Sequence, residues 1–233
     1  MKKKFLLLAI LLIGVPALLR AQEEEDWSIP VSYSGQRPAI TDFVSAILSE
    51  EDLGESLGEM KDNWDLHLAG KALPEGRSFL IDSRNGYLRY DATDESDGEV
   101  YKRYIEFCFW NCRDGRHKLI AENTVCSQAG VPYMGQYSGV SFYLYDGKTR
   151  RMEPAYADDL GLDPDYPDGM EVLVHQLPRI GKTIKFLFYT TSETISKSFT
   201  WNGNKFGYNR QKWLVIVTFL VGKGVTVSSS FHH

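Results

Sequence analysis

Ile105-Glu-Phe-Cys-Phe-Trp-Asn-Cys-Arg-Asp-Gly-Arg-His-Lys-Leu119 is the stretch on which the fold turns. Its first half alternates Ile105, Phe107 and Phe109 with Glu106, Cys108 and Trp110, the period of two that a pleated strand imposes. Asp114-Gly115 then supplies a pair of residues that tolerate the positive φ of a tight hairpin turn. Strands joined by so short a turn must be antiparallel neighbours. Working outward, the same sign recurs at Asn85-Gly86, Asp97-Gly98, Asp146-Gly147 and Asn202-Gly203. Alternation returns between those turns, in Val140, Phe142 and Leu144 and again in Ile184, Phe186 and Phe188. From Gly76 onward the chain reads as an antiparallel meander, not as strands interleaved with helices.

Before Gly76 the period changes. Thr41-Asp42 can cap a short helix carrying Phe43, Val44, Ile47 and Leu48. A second helix follows, in which Leu53, Leu57, Met60, Trp64 and Leu68 recur at helical spacing and Gly70 is the natural stop. The predicted class is therefore α+β, with two N-terminal helices packed on an antiparallel sheet. Residues 22–39 read as a linker and residues 40–206 as one domain. Residues 207–233 form an atypical tail, expected to be a buried strand from Trp213 to Val221 followed by a hairpin.

Lys2, Lys3 and Lys4 precede an apolar run from Phe5 to Leu19, and Ala21 offers a small residue at a plausible cut. That order matches a signal peptide over residues 1–21, and the run, interrupted by Pro16, is short of the roughly 20 residues a spanning helix needs. The expected destination is the periplasm or the medium, and the expected product is not an integral membrane protein. Removal of residues 1–21 leaves 22 basic against 31 acidic groups and moves the net charge from −5 to −9. Such a chain lacks the basic field that attracts phosphate backbones, which argues against nucleic acid as a partner. With 43% apolar and 24% charged residues, it is not a disordered chain either.

Disulfides persist outside the cytoplasm, and the chain has three cysteines, Cys108, Cys112 and Cys126. Cys108 and Cys112 on one strand would lie about 13 Å apart, beyond bridging distance. With Cys112 in the turn, the expected bridge is Cys112–Cys126, leaving Cys108 as a small apolar residue of the sheet.

Several stretches together resemble small secreted proteins of gut Bacteroidota that carry no assigned activity. They are Arg77-Ser-Phe-Leu-Ile-Asp82 running into Asn85-Gly-Tyr-Leu-Arg-Tyr90, Phe107 to Leu119, Gly139-Val-Ser-Phe-Tyr-Leu-Tyr-Asp-Gly147, Leu177-Pro-Arg-Ile-Gly-Lys182 and Trp201-Asn-Gly-Asn-Lys-Phe206. The resemblance covers roughly Ile40 to Phe206 and implies export from a Gram-negative cell. Residues 207–233 depart from that pattern.

No stretch has the spacing of a nucleophile elbow, a phosphate-binding glycine loop or a zinc motif, so no catalytic residue and no cofactor are assigned. Asp163, Asp165 and Asp168 are the metal candidates, since calcium takes several carboxylate oxygens from a turn, although two prolines and the spacing depart from the familiar twelve-residue loop. Tyr87, Tyr90, Tyr143 and Tyr145 are the candidate ligand-binding residues, because tyrosines on an exposed sheet face make a platform for sugars or for a partner protein. The expected function is a non-enzymatic binding protein for an envelope glycan or an envelope protein. The alternative is a glycan or envelope-polymer hydrolase working through two carboxylates, Glu106 with Asp82, Asp91 or Glu122.

Overall fold

A computed structural model describes residues 27–135 and 138–209, together with the backbone of two terminal strands at 215–221 and 224–230. The expected signal peptide lies outside the described residues. In chain order the elements are β1 (Ile29–Pro30), α1 (Ile40–Ile47), α2 (Glu55–Leu68), β2 (Arg77–Asp82), β3 (Tyr87–Ser96), β4 (Glu99–Asn111), β5 (His117–Gln128), β6 (Val131–Tyr133), β7 (Gly139–Asp146) and β8 (Arg151–Ala155). They continue with β9 (Met170–Gln176), β10 (Thr183–Thr190), β11 (Thr194–Trp201), β12 (Phe206–Tyr208), β13 (Val215–Val221) and β14 (Gly224–Ser230).

The α+β expectation is overturned. Among the described residues the protein is mostly β, 47% strand against 12% helix, and the strands form two antiparallel sheets. The larger runs β1-β8-β7-β5-β4-β3-β2 with β6 added beside β5, and the smaller runs β14-β13-β11-β10-β9 with β12 beside β11. The division falls in the connection from Tyr156 to Gly169, where Pro164 and Pro167 cannot donate to a ladder. What misled the pattern is that both faces of the larger sheet are apolar. One face carries Leu88, Tyr90, Ile105, Phe107 and Ile120 in a core shared with Ile40, Phe43 and Val44 of α1 and Met60 and Trp64 of α2. The opposite face carries Tyr87, Cys108, Trp110, Leu119 and Phe142 in a second core with Ile184, Phe186, Phe188, Phe199 and Trp201 of the smaller sheet.

The turns carry out what their residues predict. Asn85-Gly86, Asp97-Gly98 and Asp114-Gly115 join β2, β3, β4 and β5 as successive antiparallel neighbours, and Asp146-Gly147 and Asn202-Gly203 join β7 to β8 and β11 to β12. Asp97 and Gly98 have φ of 54° and 78°, the pair of positive values a type I′ turn requires.

Polar bonds tie these layers together at a few points. Glu59 of α2 accepts from Arg77 Nε at 2.6 Å, from Tyr90 Oη at 3.0 Å and from Arg103, which anchors the helix to the sheet. Between the sheets, Trp110 Nε1 donates to the Gly181 carbonyl at 3.3 Å and Trp201 Nε1 to the Asn111 carbonyl at 3.2 Å. Val215–Val221 and Gly224–Ser230 pair as a terminal hairpin.

The expected Cys112–Cys126 bridge is also overturned, since all three cysteines are unpaired. Cys112 lies at the β4–β5 turn, where its N–H donates to the His117 carbonyl, whereas Cys126 lies toward the far end of β5, opposite Arg103. Cys126 lies nine residue steps along the strand from His117, about 30 Å at the rise of a strand. No bridge spans that distance.

Candidate functional site

The candidate site is a cleft of about 530 Å³ between the N-terminal strand, the α1–α2 connection and β7. Ile29 of β1, Ile47 of α1, Leu53 just before α2 and Leu57 in its first turn make its apolar base. Trp27 and Tyr143 provide aromatic rings, and Ser49, Glu50, Glu51 and Asp52 provide oxygen atoms. Each group has a local reason for its place. Edge pairing of Ile29 with Met152 brings Trp27 to the sheet. The carboxyl of Asp42 accepts the Ala39 N–H at 2.7 Å and sets where α1 begins, and so where its acidic exit loop lies. Tyr143 projects from β7 beside Ile120.

Trp27 is 69% exposed. An indole left in water beside a concavity has apolar area still to be buried by a ligand. Deeper in, Tyr143 Oη donates at 3.3 Å to Glu122. Burial pushes the Glu122 carboxyl up to about 7, and burial with the neighbouring Glu122 and Glu50 charges pushes the Tyr143 hydroxyl well above its usual range.

Of the four tyrosines predicted to bind, only Tyr143 reaches this cleft. Tyr87, Tyr90 and Tyr145 are buried, and each spends its hydroxyl inside the protein, on Glu106, on Glu59 and on Tyr33 respectively. Asp163, Asp165 and Asp168 are exposed on the loop before β9, and among the described residues no group of three or more histidine, cysteine or acidic side chains has the geometry to hold a metal.

The predicted carboxylates are dispersed. Glu106 faces Asn123 and the smaller sheet, while Glu122, paired in register with Phe107, faces the helices, so the larger sheet itself stands between them. Asp91 is held by Arg89 at 2.9 Å, and Asp82 by Arg179 at 2.8 Å. Sequence reasoning missed Trp27, which falls in the stretch read as a linker, and missed Glu50 and Glu51. The usable signal was a tryptophan and an acidic run on either side of one short apolar helix.

Among the described residues no helix is long and apolar enough to cross a membrane. Comparison with protein families, with curated proteins and with solved structures finds no match.

Proposed function

We propose that the protein is a periplasmic or secreted binding protein that takes a neutral or amino-bearing glycan in the Trp27–Tyr143 cleft. The carrying observation is the exposed Trp27 ring set against a row of carboxylates. A pyranose has an apolar C–H face and a rim of hydroxyls. An indole covers the first, and ionised carboxylates accept strong hydrogen bonds from the second. Three acids on one rim also repel uronates and favour an ammonium group held near an aromatic face. The N-terminal segment, read as an export signal, supports delivery to a compartment where such glycans occur.

Calorimetric titration with neutral, amino-bearing and uronate oligosaccharides tests the proposal. Neutral and amino sugars should bind and uronates should not, and Trp27→Ala should weaken binding about tenfold or more. Equal affinity in Trp27→Ala, or preference for uronates, overturns it.

A hydrolase is the second reading because Glu122, whose carboxyl burial pushes up to about 7, is hydrogen-bonded to Tyr143 of the cleft at 3.3 Å, which puts a carboxyl able to hold a proton near neutral pH one side chain from the cleft. Release of reducing ends from the same oligosaccharides, abolished in Glu122→Gln while binding persists, is its expected result. Binding without turnover removes it.

A further inference from the structure

A second cavity, of about 570 Å³, opens at the end of the two-sheet stack, on the opposite face of β7 from the Trp27 cleft, and the two share no lining residue. Its base is apolar and comes from both sheets: Leu144 of β7, Leu160 of the loop that follows β8, Trp201 of β11 and the Cys112 side chain. Its polar residues come from two hairpin turns, Arg113, Asp114 and His117 from β4–β5 and Asn204 from β11–β12. The turns are held together, since the Arg113 N–H donates to the Gly203 carbonyl at 2.8 Å and Gly203, at φ +100°, sits so close that a Cβ there would crowd the Arg113 backbone at 3.2 Å.

Arg113 and Asp114 differ in how they are engaged at this mouth. Asp114 is held within its own hairpin: one oxygen accepts the N–H groups of Arg116 and His117 at 2.9 Å each, and the other pairs with His117 Nδ1 at 2.5 Å. The histidine ring is thereby oriented, and Nε2 is its remaining polar position. Arg113 is exposed, and among the described residues it has no carboxylate partner. Asn204 receives its local bond through its backbone N–H, from which the Asn202 side chain accepts at 2.9 Å. The lining thus joins apolar residues to an arginine, a histidine and an asparagine.

We infer that this cavity binds an organic anion, a carboxylate carried on an aromatic or aliphatic body, with the body on Leu144, Leu160 and Trp201 and the carboxylate on Arg113. Guanidinium–carboxylate pairing is bidentate and geometrically specific, and convergence of a few polar groups on a preformed apolar pocket is the ordinary form of a small-molecule site. The inference is independent of the glycan reading.

The test uses the full chain and a matched pair of probes, 4-phenylbutyrate and 4-phenylbutanol, which share an apolar body and differ in charge. The acid should bind about tenfold tighter than the alcohol, and Arg113→Gln should erase that difference while leaving alcohol binding in place. Location is read separately: the acid should slow alkylation of Cys112, which lines the cavity, and leave alkylation of Cys126 unchanged, because Cys126 lies far along β5. Trp27→Ala should affect neither readout. Equal binding of acid and alcohol, no binding of either, or unprotected Cys112 overturns the inference.

Discussion

Replacing Glu106 by alanine is expected to destabilise the protein by about 3–5 kcal/mol, read as a fall in the urea unfolding midpoint at pH 7. Glu106 is 6% exposed and faces the smaller sheet. Oε1 accepts from Tyr87 Oη at 2.9 Å, while Oε2 accepts from Asn123 Nδ2 at 3.1 Å and from the Leu177 N–H at 3.1 Å. Asn123 Nδ2 also reaches the His175 carbonyl at 2.9 Å, so one carboxyl and one amide join β4 and β5 to the end of β9. Desolvation outweighs those three donors and leaves the carboxyl pKa above its usual value. Alanine removes the acceptor these donors share; Asn123 keeps the His175 carbonyl, whereas the Tyr87 hydroxyl and the Leu177 N–H lose theirs, and each buried donor left without a partner costs about 1–3 kcal/mol. Glutamine is the control. Its oxygen keeps the Asn123 and Leu177 bonds, and the Tyr87 hydroxyl can turn to accept from its amide, so Glu106→Gln should lose about 1 kcal/mol. Equal losses in both variants would falsify the network as the source of the effect.

How much of this was legible in the sequence depended on what each signal encodes. Asn-Gly and Asp-Gly pairs encode a backbone conformation, so the five hairpins that carry them are read directly. The β5–β6 turn at Ala129-Gly130, with φ of 49° and 83°, carries no such pair, since alanine has no preference for positive φ, and neither does the β10–β11 turn at Thr191-Ser192-Glu193. Alternation encodes which residues share a face and is silent about what covers it. The reading therefore left one face of the meander wet, and placed Tyr87, Tyr90 and Tyr145 there, when the smaller sheet covers one side and the helices the other. Trp27 and Glu50 belong to the candidate cleft through edge pairing and a helix exit, neither of which has a sequence period. The thiols show the same limit: spacing excluded Cys108–Cys112, but only the length of β5 excludes Cys112–Cys126.

Glu122 and His175 should make stability respond to pH with opposite signs, and Glu122→Gln is expected to remove the first of the two. Glu122 ionises near 4.5 when unfolded and near 7 when folded, so the folded state holds its proton longer. Its contribution is complete below pH 4.5 and is lost as pH rises through 7. At about 1.4 kcal/mol per pKa unit the whole change is about 3 kcal/mol. His175 runs the other way. Packed edge-to-face on Phe186 at 4.5 Å and desolvated, it is lowered from 6.5 to about 4, so its contribution is complete above pH 6.5 and is lost as pH falls through 4. Between pH 4.5 and 6.5 the two slopes oppose each other in the parent protein. In Glu122→Gln the Glu122 slope is gone, so over that interval stability should rise more, or fall less, with pH than it does in the parent. Urea midpoints of both proteins at pH 4.5 and pH 8 measure the effect as a difference. The stability of Glu122→Gln relative to the parent should increase by about 3 kcal/mol between those pH values. Glu106, raised in the same direction, is present in both proteins and cancels. A relative stability that stays constant from pH 4.5 to pH 8 would mean that Glu122 ionises alike in the folded and unfolded chains, and with that the case for a protonated acid beside Tyr143 would fall.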